Sequence, residues 1–195
     1  MPEKTVQKEP GKKPAPSKKP KPQQEVVVQI PLSELHPFPD HPFQVREDAS
    51  MQETAESVKE YGVLVPALAR PREDGGYELI AGHRRKHACE LAGLATMPVI
   101  VRDIDRDAAT IIMVDSNLQR ENILPSERAK AYKMKMEAIK RQGARTDLTS
   151  PKISAKFRSD DEVGQDAGVS GDTIRNYIAL TQLVPELQQM VDEKK

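Results

Sequence analysis

The sequence predicts an α+β protein in which a small mixed-sheet α/β domain precedes an all-helical region. Three observations support this prediction. Between residues 25 and 104, short apolar segments with strand character alternate with amphipathic helical segments. From residue 105 onward the apolar spacing is helical, beginning with a connector at residues 105–143. Two short helical segments then flank a glycine-containing turn within residues 144–195, a pattern typical of a helix-turn-helix.

The composition predicts a soluble, cytoplasmic protein with aliphatic cores. Of the 195 residues 37% are hydrophobic, with three Phe, four Tyr and no Trp. The formal net charge of zero gives no overall sign of a polyanionic partner, and no apolar run reaches membrane-spanning length. The single cysteine, Cys89, excludes an intramolecular disulfide and fits a reducing compartment. Two loop histidines, His36 and His41, lack companion ligands, so the sequence does not favour a metal site there.

Residues 1–24 differ in composition from the rest of the chain. They hold seven lysines against two glutamates, and six of the sixteen prolines, with almost no large apolar side chains. Such a segment cannot bury enough surface to offset the entropy of ordering, so we expect a disordered tail. A solubilising role is favoured over charge-driven contact with nucleic acid or an acidic partner.

The α/β domain is predicted to begin with a strand at residues 26–30 and a proline-rich loop at residues 36–46. A helix follows, because Ser50 and a glutamate three residues later have the spacing of a capping box with Ser50 as N-cap. The helix is expected to end at Gly62. Its predicted core-facing side chains are Met51, Ala55, Val58 and Tyr61.

Two further strands are predicted before the basic segment of the domain. Residues 63–69 are apolar but interrupted by Pro66, which implies an edge strand or a bulge. Residues 74–76 are a hairpin turn signal, and residues 77–80 alternate polar and apolar side chains as a half-buried strand does.

The end of this last strand predicts an anion-binding site. Gly82 lets the backbone turn and a ligand approach closely, and a helix is expected to begin at His83. The unpaired N–H groups at a helix start attract anions, and Arg84 and Arg85 can bind phosphate through paired hydrogen bonds. The alternative is a basic helix end that only faces solvent.

The helix-turn-helix is predicted from residues 161–167, a turn at Gly168 and a second helix over residues 170–180. Residues 144–160 before it are expected to be a linker. Because the turn and its cap agree, DNA binding is favoured over a generic helical hairpin. The predicted buried set is Val163, Ala167, Val169, Ile174 and Ile178. The N-cap and the side chains expected to face a DNA groove are Ser170, Gly171, Asp172, Thr173, Arg175 and Asn176.

Four ordered motifs resemble those of the ParB family of chromosome and plasmid partition proteins. They are HPFQVR at residues 41–46, GVLVP at residues 62–66, GHRR at residues 82–85 and NLQREN at residues 117–122. The resemblance implies a ParB/sulfiredoxin-like α/β domain followed by a helix-turn-helix domain, here incomplete. It also implies a nucleoid-associated homodimer that binds an inverted-repeat DNA site, a nucleotide-regulated DNA clamp and a ParA-type ATPase partner.

The same resemblance implies a site for CTP and Mg²⁺. The segment with Gly62, Val65 and Pro66 would line the pocket near the base. Asn117 would lie near the magnesium ion, as an amide oxygen is a suitable hard ligand. The residues expected to contact the phosphates or allow their close approach are Gly82, His83, Arg84, Arg85 and Arg120. For Arg120, a position near the helix on the DNA side is the alternative.

Three positions depart from the family pattern. His83 and Ser116 stand where the family has glutamates, and Val65 stands where it has a glutamine. Hydrolysis of a phosphoanhydride needs a group that positions water, and Ser116 cannot supply a carboxylate. Nucleotide binding is therefore expected more strongly than catalysis. The rivals left open are a transcriptional regulator without nucleotide function, a ParB-like nuclease and a sulfiredoxin-like enzyme.

Overall fold

The computed structural model describes residues 26–120, 122–147 and 159–193. The predicted tail at residues 1–24 and most of the predicted linker lie outside the described residues. The strands are β1 (Val27–Pro31), β2 (Leu35–Pro37), β3 (Ala67–Pro71), β4 (Tyr77–Ala81) and β5 (Thr96–Val101). The helices are α1 (Ala49–Tyr61), α2 (His83–Leu91), α3 (Arg106–Leu118), α4 (Pro125–Asp147), α5 (Ser159–Ala167), α6 (Gly171–Leu180) and α7 (Pro185–Asp192).

The five strands form one mixed sheet in the order β1-β5-β3-β4-β2, which confirms the predicted mixed sheet. β3 and β4 are an antiparallel hairpin, whereas β3 pairs with β5 and β2 pairs with β4 in parallel. Adjacent residues of β4 serve opposite faces, because side chains alternate along a strand. Leu79 packs into a core with α1 and α2, and Ile80 packs into a second core with α3 and α4.

Two expectations about the strands are corrected. β3 lies in the centre of the sheet rather than at its edge, and it begins only at Ala67, after Pro66. A register shift between Leu68 and Ala69 provides the irregularity that was the alternative to an edge position. In β4, Glu78 is buried rather than solvent-facing, because its carboxylate accepts a hydrogen bond from the Arg70 guanidinium on the paired strand.

Helix α1 begins earlier than predicted. Asp48, not Ser50, is its N-cap, and its carboxylate accepts a hydrogen bond from Met51 N at 2.9 Å. Met51 and Val58 are buried as expected, whereas Tyr61 in the last turn is 64% exposed. Gly62 ends the helix as predicted, with a positive φ of 73°.

The helical region contains the predicted α5–turn–α6 arrangement. Ser170 is the N-cap of α6, and its Oγ accepts a hydrogen bond from Thr173 N at 3.2 Å. Val163 and Ile174 are buried with Tyr132 of α4 in a third core, whereas Val169 is 37% exposed. Helix α4 continues past the predicted end at residue 143. No helix within the described residues is both long enough and apolar enough to cross a membrane.

A buried lysine joins three helices of this region. The Lys135 side chain on α4 is 1% exposed, and its Nζ lies 2.7 Å from Asp115 Oδ1 on α3 and 2.9 Å from Asp166 Oδ2 on α5. Burial alone would lower the pKa of Lys135, but the two carboxylates raise it above its ordinary value. The charged form is therefore the stable one, and it holds α3 and α5 to the same helix.

Replacing Lys135 with alanine is expected to lower the free energy of unfolding by about 2 kcal/mol, because two charge-assisted hydrogen bonds are lost and a cavity remains. Urea denaturation followed by circular dichroism measures this. Lys133→Ala, at an exposed position on the same helix, is the matched control and should change stability by less than about 0.5 kcal/mol. Equal effects of the two substitutions would contradict the role assigned to Lys135.

Candidate functional site

The corner between β4 and α2 forms as predicted around Gly82. Gly82 is the N-cap of α2 and has a φ of 110°, a left-handed conformation that side-chain-bearing residues rarely adopt. A Cβ at this position would lie 2.8 Å from the Ala67 Cβ on β3. Glycine is therefore required twice, for the backbone conformation and for the close approach to β3.

Arg85 binds the loop that precedes β3. Its Nη1 donates hydrogen bonds to the carbonyl oxygens of Val65 and Pro66, at 2.6 and 2.7 Å. Burial and the charge of Arg120 lower the pKa of Arg85. The structure thus brings together Arg85, Val65 and Pro66, which the sequence assigned to one pocket. The Arg85 side chain holds the loop in place by bonding to the loop's backbone carbonyls.

Arg84 reaches the first turn of α1. Its Nη2 donates a hydrogen bond to Ser50 Oγ at 3.3 Å and lies 3.6 Å from Asp48 Oδ1. Ser50 is therefore part of the site rather than the cap of α1. These contacts are weak and partly exposed, so the guanidinium retains donors for another acceptor.

A cleft of about 550 Å³ opens beside Arg84. Three of its lining residues are arginines, and the two acidic ones are Asp48 and Glu127. Burial and the nearby Arg84 lower the pKa of Arg120, which indicates that positive charge is concentrated there. The lining comprises Phe43, Gln44, Arg46, Asp48, Ser50, Arg84, Gln119, Arg120, Asn122, Ile123 and Glu127.

One of the two acidic side chains in the cleft has a structural role. Glu127 is buried, and its two oxygens accept hydrogen bonds from Gln44 N at 3.1 Å and Leu124 N at 3.2 Å. It therefore joins the start of α4 to the proline-rich loop. Because its oxygens are engaged, Glu127 offsets the arginine charges only in part, and the cleft suits an anion.

The His83 ring contacts the His41 ring at a tilt of 46°, a contact that the sequence did not predict. Their ring centroids are 3.9 Å apart, and His41 Nδ1 lies 2.7 Å from the Phe43 carbonyl oxygen. Both Nε2 atoms are buried without a hydrogen-bond partner among the described residues. Burial lowers the pKa of both rings, and for His83, which also faces His41, Arg120 and Lys86, to about 3. No local pattern signals a contact between residues so far apart in sequence.

Asn117 lies near the end of α3 and is buried there. Its Nδ2 donates a hydrogen bond to the Met113 carbonyl oxygen at 2.8 Å, and Ser116 Oγ donates to the same oxygen at 2.9 Å. The neighbouring Asp115 is held by Lys135 instead of facing this position. Residue 116 is a serine, and the carboxylate of the neighbouring Asp115 does not take its place because it is paired with Lys135.

The predicted DNA-contacting residues lie at the start of α6 but do not all face outward. Asp172 and Asn176 are exposed and Thr173 is half-buried. Gly171 is buried rather than outward-facing, which corrects the prediction. The space beside it is filled, since a Cβ at this position would collide with the Asp161 carboxylate. The Arg175 guanidinium is exposed but pairs with Asp160 and Asp172.

Two features bear on the enzymatic rivals. Cys89 is buried in the sheet core, and burial raises the pKa of its thiol, so the nucleophilic thiolate is disfavoured. Within residues 26–120, 122–147 and 159–193, no three His, Cys, Asp or Glu side chains are grouped so that they could hold a metal ion.

The mixed sheet, the glycine corner and the cationic cleft define a small α/β domain with a positively charged cleft, joined to a helical region. The model of the ParB N-terminal domain matches residues 16–118, more than half of the chain. The chain therefore belongs to the ParB family, which confirms the predicted membership.

Curated relatives match beyond this domain. The chromosome-partitioning protein Spo0J of Thermus thermophilus is 36% identical over 167 residues, which cover 85% of this chain and 55% of that protein. The stage 0 sporulation protein J of Bacillus subtilis is 32% identical over 170 residues, covering 87% and 54%. The chain thus spans about half the length of these relatives.

A solved structure agrees with the fold. The C-terminally truncated chromosome-partitioning protein ParB from Caulobacter crescentus, complexed to the centromeric parS site, has a TM-score of 0.54 and 28% identity, covering 84% of this chain and 76% of that one. The Pnob8-like ParB-N domain has a TM-score of 0.58 at 17% identity, covering 88% and 75%, and supports the fold alone.

Replacing Gly82 with alanine is expected to lower the free energy of unfolding by about 2–4 kcal/mol, because backbone strain and the clash with Ala67 add. Gly93→Ala is the matched control, since Gly93 has a φ of 72° but open space around its Cβ position. It should cost only about 1 kcal/mol, the strain alone. Urea denaturation compares the two, and equal losses would contradict the assigned close approach.

Proposed function

We propose that this chain acts in DNA partition, binding duplex DNA at an inverted-repeat site and a CTP-like nucleoside triphosphate in the cationic cleft. Nucleotide binding regulates a clamp formed by two copies of the protein, which serves a chromosome, plasmid or other mobile element together with a ParA-type ATPase. The observation that carries the proposal is the group of three arginines beside the start of α2.

The electrostatics of the cleft favour a multiply charged ligand. Burial and, in addition, the like charge of Arg84 lower the pKa of Arg120, so the charged form of Arg120 is destabilised until an anion arrives. The α2 start adds unpaired backbone N–H groups at the same corner. A triphosphate satisfies several of these donors at once, whereas a single carboxylate would leave most of them without an acceptor.

Each predicted site residue has a place in this proposal. The guanidinium groups of Arg84 and Arg120 contact the phosphates directly. Gly82 and His83 form the start of α2, where the backbone lies close to the phosphates. Arg85 holds the loop that contains Val65 and Pro66, against which the base is placed, and Gly62 begins that loop.

The described residues could bind a magnesium ion only together with a nucleotide, whose phosphates would supply most of the ligands. Asn117 uses its Nδ2 on its own helix, which leaves Oδ1 as its potential metal ligand, and the other ligands would be phosphate oxygens and water. Bound magnesium would neutralise phosphate charge. Because Ser116 donates to a backbone oxygen and Asp115 is paired with Lys135, we propose binding without efficient hydrolysis.

The DNA-binding part of the proposal rests on the start of α6. Asp172 and Asn176 are exposed there beside the Ser170 cap and the half-buried Thr173. Asn can pair with adenine in the major groove, and Arg175 can contact DNA if it exchanges its partners Asp160 and Asp172 for a phosphate or a base. The Caulobacter relative, whose structure is complexed to the centromeric parS site, supports DNA binding by similarity.

Arg120→Ala is expected to weaken binding of Mg²⁺-CTP about ten- to hundredfold, because a charge-assisted phosphate contact is lost. Isothermal titration calorimetry of CTP, ATP and GTP, with and without inverted-repeat DNA, measures affinity and base preference. Arg72→Ala, on the β3–β4 hairpin and paired with Asp74, is the control and should leave binding unchanged. Failure of the unaltered protein to bind any of these nucleotides while it binds DNA specifically would favour the regulator alternative.

Asn176→Ala is expected to reduce affinity for the specific DNA site by about 1–3 kcal/mol and to leave non-specific binding unchanged. The site is first recovered from a random duplex library by the unaltered protein, and affinities are then measured by fluorescence anisotropy at fixed salt. Gln52→Ala, an exposed amide on α1, is the control. Equal losses on specific and random duplexes would contradict base recognition by Asn176.

A further inference from the structure

The rings of His41 and His83 are in contact at a tilt of 46°, and each ring has a buried nitrogen without a partner among the described residues. The two rings lie 3.9 Å apart, and neither Nε2 atom has a hydrogen-bond partner among the described residues. Buried polar atoms without partners are uncommon and need an explanation. The pair adjoins the cationic cleft, because His41 bonds to Phe43 and His83 precedes Arg84, and both of these residues line it.

The charges that face the pair disfavour its protonation while the cleft is free of anions. His83 faces Lys86 on its own helix and Arg120 after α3, and His41 faces Arg120 and Glu127 of α4. Glu127 is the one acidic group among them, and its oxygens are engaged by backbone N–H groups. Both rings therefore stay neutral in the free protein at neutral pH.

A polyanion in the cleft reverses this balance. It neutralises Arg120 and places negative charge beside the pair, which favours the imidazolium form. A protonated ring carries an N–H on both nitrogens, so an Nε2 atom without a partner becomes a donor. We propose that His41 and His83 form a proton-accepting pair that takes up a proton when a nucleoside triphosphate binds, so that nucleotide affinity increases as pH falls. This inference rests on the proposed nucleotide site.

The proton balance is simple. One proton moves from solvent to an imidazole nitrogen of the pair, and no covalent bond to the nucleotide forms or breaks. By linkage, the slope of log affinity against pH equals the number of protons taken up, with the sign that affinity rises at lower pH. Because the two rings are in contact, the first proton belongs to the pair and opposes a second.

Calorimetry tests the proposal by titrating CTP in excess Mg²⁺ at pH 6.5 and 7.5, in buffers of different ionisation enthalpy. We expect uptake of about 0.5–1 proton per nucleotide and about three- to tenfold tighter binding at pH 6.5. His83→Gln and His41→Gln should abolish both effects, whereas His36→Gln, on β2 and not among the residues that line the cleft, should retain them.

Nuclear magnetic resonance of the unaltered protein gives an answer that does not depend on how the variants fold. The chain has four histidines, so their ring signals can be assigned by single substitutions. At pH 6.5 one ring of the pair should change from neutral to protonated when CTP is added. Binding without proton uptake would overturn this inference and leave the proposed function intact. The absence of nucleotide binding at every pH would overturn both.

Discussion

The close contact between Gly82 and Ala67 is the constraint on which the site depends. Because no Cβ separates them, α2 begins directly against the central strand β3. Arg85 can then reach the carbonyl oxygens of Val65 and Pro66 and hold the preceding loop. One backbone conformation thus places the basic start of α2, the loop and the cleft in a single fixed arrangement.

The cleft carries more positive charge than its own acidic groups can balance. Glu127 gives its oxygens to backbone N–H groups, and Asp48 is shared between the α1 cap and Arg84. Burial first, and neighbouring positive charge in addition, lower the pKa values of Arg85 and Arg120 and of His41 and His83. Such a site is organised for an anion before the anion arrives, which favours binding because little rearrangement is needed.

The helices that border the cleft also support the helical region. Lys135 joins α3, α4 and α5 through Asp115 and Asp166, and Ser126 at the α4 start bonds to Asp192 of α7. The same use of Asp115 keeps it away from residue 116, where hydrolysis would need a carboxylate. The ion pair with Lys135 therefore holds the Asp115 side chain against α4.

The sequence by itself determined the alternation of strands and helices, the turn at Gly82, the Ser170 cap and the basic start of α2, since these depend on neighbours within a few residues. Only the tertiary structure decided the central position of β3 and the burial of Glu78 and Gly171. The hydrogen bond from Arg85 to the Val65 carbonyl and the ring contact between His41 and His83 are likewise features of the tertiary structure. These outcomes depend on packing between residues distant in sequence, about which local periodicity and spacing carry no information.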